Sequence, residues 1–86
     1  MTREEVLRKA IDVTTKDRNN QYGEPEDTFA VIADMWSSYT GVNFEPTDVA
    51  IMMVLMKCAR MKHQWSEDSF VDIAGYAACG AEVASR

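Results

Sequence analysis

One segment near the middle of the chain limits the fold more than any other. Residues 49–60 read VAIMMVLMKCAR, which is eight apolar residues in a row followed by Lys57 and Arg60. A surface helix carries one apolar stripe, whereas this run is apolar all round over two turns, which is typical of a helix buried on most sides. A charge taken out of water is costly unless it is paired. The segment therefore predicts a buried helix whose two cations meet something negative.

Composition narrows the class of protein. The 86 residues form one domain, and 47% of them are hydrophobic, with six methionines. Because a chain this short buries only about 60% of its unfolded surface, we expect a homo-oligomer. The net charge of −5 argues against non-specific nucleic-acid binding, which depends on clustered cations. An isolated anion pocket built from two or three cations stays compatible with that charge.

The chain shows no sign of a membrane segment or a secretion signal. No apolar run approaches the ~20 residues that span a bilayer, and the first ten residues lack an apolar signal core. Cys58 and Cys79 have no metal-ligand spacing and predict buried free thiols, which suits a reducing compartment. We expect no membrane partner and a location in the cytoplasm of a bacterial host cell.

Signals for helix ends divide the chain into four helices joined by short loops. This pattern predicts an all-α, four-helix bundle-like single domain over residues 1–86. The third helix is expected to run to about His63. The boundary signals are the capping box of Thr2 and Glu5, Pro25 and Pro46 at helix starts, Gly41 as a left-handed stop, and Ser66 as an N-cap.

The fourth helix is rich in small residues over 74–81. Small side chains let another helix approach closely, so this helix is predicted to pack tightly either on the third helix or on its own copy in a second subunit. The predicted core face of the second helix is Phe29, Ile32, Ala33, Trp36 and Tyr39, and that of the fourth is Phe70, Ala74, Ala77 and Ala81.

Lys57 and Arg60 lie within about 60° of each other on a helical wheel. In one interpretation both extend to water and complement the helix C-terminal dipole. In the other they bind a phosphate or carboxylate, with Arg60 as a planar fork and Lys57 as a point charge. The first interpretation needs no ligand, and the second predicts one.

Asp68 and Asp72 are four positions apart and project from one face of the fourth helix. Gly75 and Cys79 continue that face, and their small size would leave open volume beside the carboxylates. Mg²⁺ is commonly held by one or two carboxylates together with substrate phosphates, so this pair is the candidate metal site. The alternatives are a solvated face, or an ion pair between Asp72 and one of the two cations.

The loop after the first helix brings together candidate ligand contacts. Arg18, Asn20 and Tyr22 could stack on and hydrogen-bond a flat polar ligand, although loops are polar in any case. The single histidine provides no basis for a Ser-His-Asp or Cys-His arrangement, so no catalytic residue is assigned.

A set of motifs extends over most of the chain from residue 20 onward. The motifs are Asn20-Gln21-Tyr22-Gly23, Pro25, Asp27, Phe29, Ile32-Ala33, Trp36, Asp48-Val49-Ala50, Met53, Lys57-x-x-Arg60, Asp68-Ser69 and Asp72-x-x-x-Tyr76. Together they resemble a small uncharacterised family of bacteriophage and prophage proteins. More remotely, they are similar to phage nucleotide-modification-associated proteins and to the all-α nucleoside triphosphate pyrophosphohydrolases of the MazG and dimeric dUTPase group. The resemblance implies an oligomeric helical bundle with nucleotide sites between helices, although only Asp68 and Asp72 match half of those enzymes' Mg²⁺ ligands.

Three functions follow from these observations. The leading hypothesis is a phage-encoded helical protein that binds a nucleotide or nucleotide-derived anion and sequesters a host defence signal. Its ligand contacts would be Lys57, Arg60, Tyr22, Asn20 and Arg18. One alternative is a Mg²⁺-dependent nucleotide pyrophosphohydrolase, and the other is a protein-binding inhibitor of a host defence system.

Overall fold

The computed structural model describes residues 1–16 and 23–85, and within these ranges the chain forms α-helices and no strand. The helices are α1 (Arg3–Thr15), α2 (Pro25–Thr40), α3 (Pro46–His63) and α4 (Glu67–Ala84). This confirms the all-α fold of one small domain. None of these helices combines the length and the apolar composition that a bilayer-spanning segment needs.

The predicted boundary signals lie at the ends of all four helices. The Thr2 hydroxyl accepts a hydrogen bond from the Glu5 backbone N–H at 3.1 Å, and the Thr2 N–H donates to the Glu5 carboxylate at 3.2 Å. Pro25 and Pro46 stand at the first positions of α2 and α3, and Gly41 ends α2 with a φ of 73°. Ser66 occupies the N-cap position of α4 as predicted, although its hydroxyl makes no cap hydrogen bond.

The α1 capping box predicts a pH dependence of stability. Hydrogen bonding from the Thr2 backbone N–H, and next from the Thr2 side chain, lowers the pKa of Glu5 below its ordinary value of 4.5. A lowered folded-state pKa contributes stability above the ordinary value, and this contribution is lost as the pH falls through the lowered value. Glutamine at this position can keep the hydrogen bond but does not titrate.

We therefore expect Glu5→Gln to lower the thermal unfolding midpoint at neutral pH, and this difference from the wild type to shrink as the pH falls below 4.5. Thermal unfolding followed by circular dichroism between about pH 7 and about pH 3 measures the difference. A difference that stays constant over this range would contradict the assignment.

Helix α4 lies at the centre of the fold. It packs against α1, α2 and α3, and its most extensive interface is with α3. The core between these helices is built around Phe29 and Val49, whose exposed fractions are 2% and 0%. Ala33, Ala50 and Cys79 complete the buried cluster.

Helix α3 is less buried than its sequence predicts. Only Val49 and Ala50 are buried, whereas Ile51 is 59% exposed and Leu55 is 61% exposed. The prediction of a helix buried on most sides is therefore wrong for the single chain. The neighbouring helices cover one face of α3 and leave the opposite apolar face uncovered.

The buried face of α4 also differs from the prediction. Val71, Gly75 and Cys79 are buried, while Ala77 and Ala81 are exposed. Alanines and glycines occupy every side of α4, so its sequence does not indicate one apolar face. Helix α1 approaches α4 at Gly75, and helix α3 approaches it at Gly80. In α2 the predicted core face is correct except for Tyr39, which is 92% exposed.

Candidate functional site

Lys57 and Asp72 form an ion pair between α3 and α4. The Lys57 Nζ lies 2.8 Å from an Asp72 carboxylate oxygen. The lysine side chain is only 16% exposed, and the aspartate side chain is 39% exposed. Close packing of α3 on α4 directs the two side chains toward each other, so the charge of Lys57 is met within the chain.

A small cavity lies beside this pair. It has a volume of about 90 Å³ and is walled by α1 and α4. A water molecule occupies about 30 Å³ in the liquid, so this cavity has room for a few waters and is far below the size of ordinary ligand pockets. Its lining residues are Val13, Thr14, Asp72, Gly75, Tyr76 and Cys79.

Arg60 has different surroundings, although it is only three positions from Lys57. It is exposed and lines a recess of about 710 Å³ at the corner between the end of α3 and the start of α4. Within the described part of the chain, the Arg60 guanidinium makes no ion pair. The recess is also lined by Met56, Ala59, His63, Gln64, Ser66 and Ser69.

Most of the polar residues of this recess do not belong to a sequence motif. Only residues 64–66 connect α3 to α4, and the Gln64 N–H donates to the Arg60 carbonyl at 2.9 Å to close the last turn of α3. A connection this short places the last turn of one helix beside the first turn of the next. The short connection is the signal from which His63, Gln64, Ser66 and Ser69 could have been predicted as neighbours of Arg60.

The two aspartates of the candidate metal site bind lysines from different helices. Asp68 is 3.0 Å from the Nζ of Lys9 in α1, and Asp72 pairs with Lys57 in α3. Residues 1–16 and 23–85 contain no group of three or more His, Cys, Asp or Glu residues that could hold a metal ion.

The aspartates therefore do not present an open Mg²⁺ site, since Mg²⁺ requires near-octahedral oxygen coordination. Metal binding by Asp68 and Asp72 stays a prediction that requires both lysines to move away.

The remaining predicted ligand contacts cannot be placed. Arg18, Asn20 and Tyr22 lie outside the described residues. Cys58 and Cys79 form no disulfide among the described residues; Cys79 is buried as predicted, whereas Cys58 is exposed.

Two phage proteins are similar to this chain over most of its length. The Gene 55 protein of Mycobacterium phage L5 is 42% identical over 74 residues, which are 84% of this chain and 47% of that protein. The Gene 55 protein of Mycobacterium phage D29 is 42% identical over 77 residues, which are 88% of this chain and 51% of that protein. The chain thus spans about half the length of these curated relatives.

No solved structure matches the chain. The predicted membership of a small phage protein family is confirmed by the two Gene 55 proteins. A family model described as Domain of unknown function (DUF6378) matches residues 5–84. Since this match covers nearly all of the sequence, the chain belongs to the DUF6378 family.

Proposed function

We propose that this protein is a phage-encoded homo-oligomer that binds a nucleotide or nucleotide-derived anion, with Arg60 as the phosphate-binding residue. One observation carries the proposal: the Arg60 guanidinium lines a large recess and has no ion-pair partner in the described ranges. A guanidinium presents paired N–H donors that match two phosphate oxygens. In this proposal Lys57 supports the helix pair and does not contact the ligand.

The surroundings of Arg60 suit an anion of moderate charge. The recess of about 710 Å³ is open to solvent, so a ligand would lie along the corner between the two helices. The Gln64 amide and the hydroxyls of Ser66 and Ser69 line the same recess and can donate hydrogen bonds. The α4 N-terminus adds a partial positive charge, which the acidic residues of its first turn partly offset.

Such a site acts by retaining its ligand. Sequestration of a host defence signal requires tight binding and slow release, and it requires no catalytic group. The Gene 55 relatives are phage proteins, which supports the proposal that the ligand comes from the infected host.

Titration calorimetry with a panel of mononucleotides and cyclic oligonucleotides tests the proposal. We expect the wild type to bind at least one member and Arg60→Ala to weaken that binding at least about tenfold, because hydrogen bonds to a charged group are lost. Arg8→Ala is the matched control. It removes the same group from α1, where a surface ion pair with Glu4 contributes little to stability.

The control is expected to bind within about twofold of the wild type. If no member of the panel binds, or if Arg8→Ala weakens binding as much as Arg60→Ala does, Arg60 is not a specific ligand contact.

A protein-binding inhibitor is a second candidate that one observation favours. Trp65 is 70% exposed, and its ring stacks edge-on against half-exposed Phe70 with the centroids 5.4 Å apart. Exposed aromatic pairs are enriched at protein interfaces. Capture of a host protein by the wild type and its loss with Trp65→Ala would support this function. The pyrophosphohydrolase alternative, which needs Asp68 and Asp72 released from their lysines, has no such support.

A further inference from the structure

The exposed sides of α3 and α4 form one continuous apolar surface, here called the α3–α4 face. We propose that two copies of this chain associate through the α3–α4 face, each inserting Ile51 and Leu55 into the groove between α3 and α4 of the other. This inference assigns a surface to the proposed homo-oligomer and does not depend on the ligand.

The α3–α4 face combines a groove with a ridge. The groove has a volume of about 380 Å³, and apart from Thr47 every residue that lines it is apolar or glycine. Ala77, Gly80 and Ala81 form the α4 side of the groove. The ridge consists of Ile51 and Leu55, which project from α3 one turn apart with exposed fractions of 59% and 61%.

The exposed area of the chain is large enough for an interface with a second copy. The chain exposes 6091 Å² at a mass of 9.7 kDa, whereas a folded monomer of that mass exposes about 5,100 Å². The excess of roughly 1,000 Å² is close to the ~800 Å² that each partner buries in a stable interface. The radius of gyration of 13.5 Å also exceeds the ~12 Å expected for a compact chain of this length.

A ridge beside a groove makes the face self-complementary. In a twofold dimer the same patch serves on both copies, so the ridge of each copy can occupy the groove of the other. The small residues of the groove leave space that large aliphatic side chains can fill. Burial of Ile51 and Leu55 would also account for an α3 sequence that is apolar all round.

Sedimentation velocity or light scattering of the full chain at several concentrations tests the inference. We expect the wild type to have twice the 9.7 kDa chain mass. Ile51→Glu is expected to weaken association at least about tenfold, because it places a carboxylate in the apolar groove. Met35→Glu is the control, since Met35 is 65% exposed on α2, outside the α3–α4 face. It should associate within about twofold of the wild type.

Circular dichroism shows whether each variant keeps its helices, as expected for substitutions at exposed positions. A wild type that is monomeric at every concentration would overturn both the homo-oligomer and its surface. A stable dimer that Ile51→Glu leaves intact would overturn only the assigned surface, as would a Met35→Glu variant that dissociates equally. Nucleotide binding by Arg60 is measured separately and is unaffected by these outcomes.

Discussion

Gly80→Ala is expected to lower the free energy of unfolding by about 2 kcal/mol. A Cβ atom at this position would lie 2.7 Å from the Cβ of Ala50 in α3. Carbon atoms pack at about 3.5–4.0 Å, so α3 and α4 would have to separate by roughly 1 Å along their shared interface. The higher helix propensity of alanine stabilises the variant by up to about 1 kcal/mol, which is less than the destabilisation caused by this overpacking.

Two further variants separate close packing from helix propensity. Gly75→Ala adds the same methyl group to the same helix, but its Cβ meets the Thr14 side-chain methyl group at 3.0 Å, and a side chain can shift more easily than a helix backbone. We expect its stability to stay within about 1 kcal/mol of the wild type. In the double variant Ala50→Gly/Gly80→Ala, the two Cβ atoms no longer conflict, so it should be more stable than either single variant.

Urea unfolding at one fixed protein concentration measures the wild type, Gly75→Ala, Gly80→Ala, Ala50→Gly and the double variant. Equal losses for the alanine variants at positions 75 and 80 would contradict close helix approach as the reason for Gly80. So would a double variant less stable than both single variants.

The helix ends could be predicted from sequence because each signal acts over a few residues. Thr2 bonds Glu5 within one turn, and Pro25, Pro46 and Gly41 act through their own backbone angles. None of these interactions depends on the other helices.

The buried faces of α3 and α4 could not be predicted in the same way. An apolar side chain such as Leu55 shows that burial is favourable but does not specify the surface that covers it. In α4 nearly every side is small and apolar, so burial is decided by which helix approaches most closely. Gly75 and Cys79 lie on the side of α4 that the neighbouring helices cover, whereas Ala77 and Ala81 lie on the exposed side.

The candidate site was predictable only in part, for a similar reason. Pairing of Asp72 with Lys57 was one of the alternatives that the sequence left open, since it follows from two helices packing side by side. The recess around Arg60 depends on the connection between α3 and α4, and its residues are not spaced as a motif. Sequence spacing placed Lys57 and Arg60 together, whereas packing separates their surroundings.

Asp72→Leu is expected to lower the free energy of unfolding by about 1 kcal/mol, more than the loss caused by Lys57→Met. The reason is the difference in burial between the two partners. Removing Asp72 leaves the ammonium of a side chain that is only 16% exposed without its partner. Removing Lys57 leaves a carboxylate whose side chain is 39% exposed and which water can reach more easily.

The double variant Lys57→Met/Asp72→Leu completes the cycle. Because it leaves no unpaired charge beside the helix interface, it should be more stable than Asp72→Leu alone. If urea unfolding shows that the double variant loses as much stability as the two single variants together, the Lys57 ammonium and the Asp72 carboxylate do not stabilise each other.

The same variants separate the role of Lys57 from that of Arg60. If Lys57 stabilises the α3–α4 pair, Lys57→Met changes the free energy of unfolding and leaves nucleotide affinity within about twofold of the wild type. Arg60→Ala should do the reverse, since its guanidinium is exposed and makes no ion pair with the described residues. Weaker nucleotide binding by folded Lys57→Met would instead show that both cations contact the ligand, with Asp72 displaced when it binds.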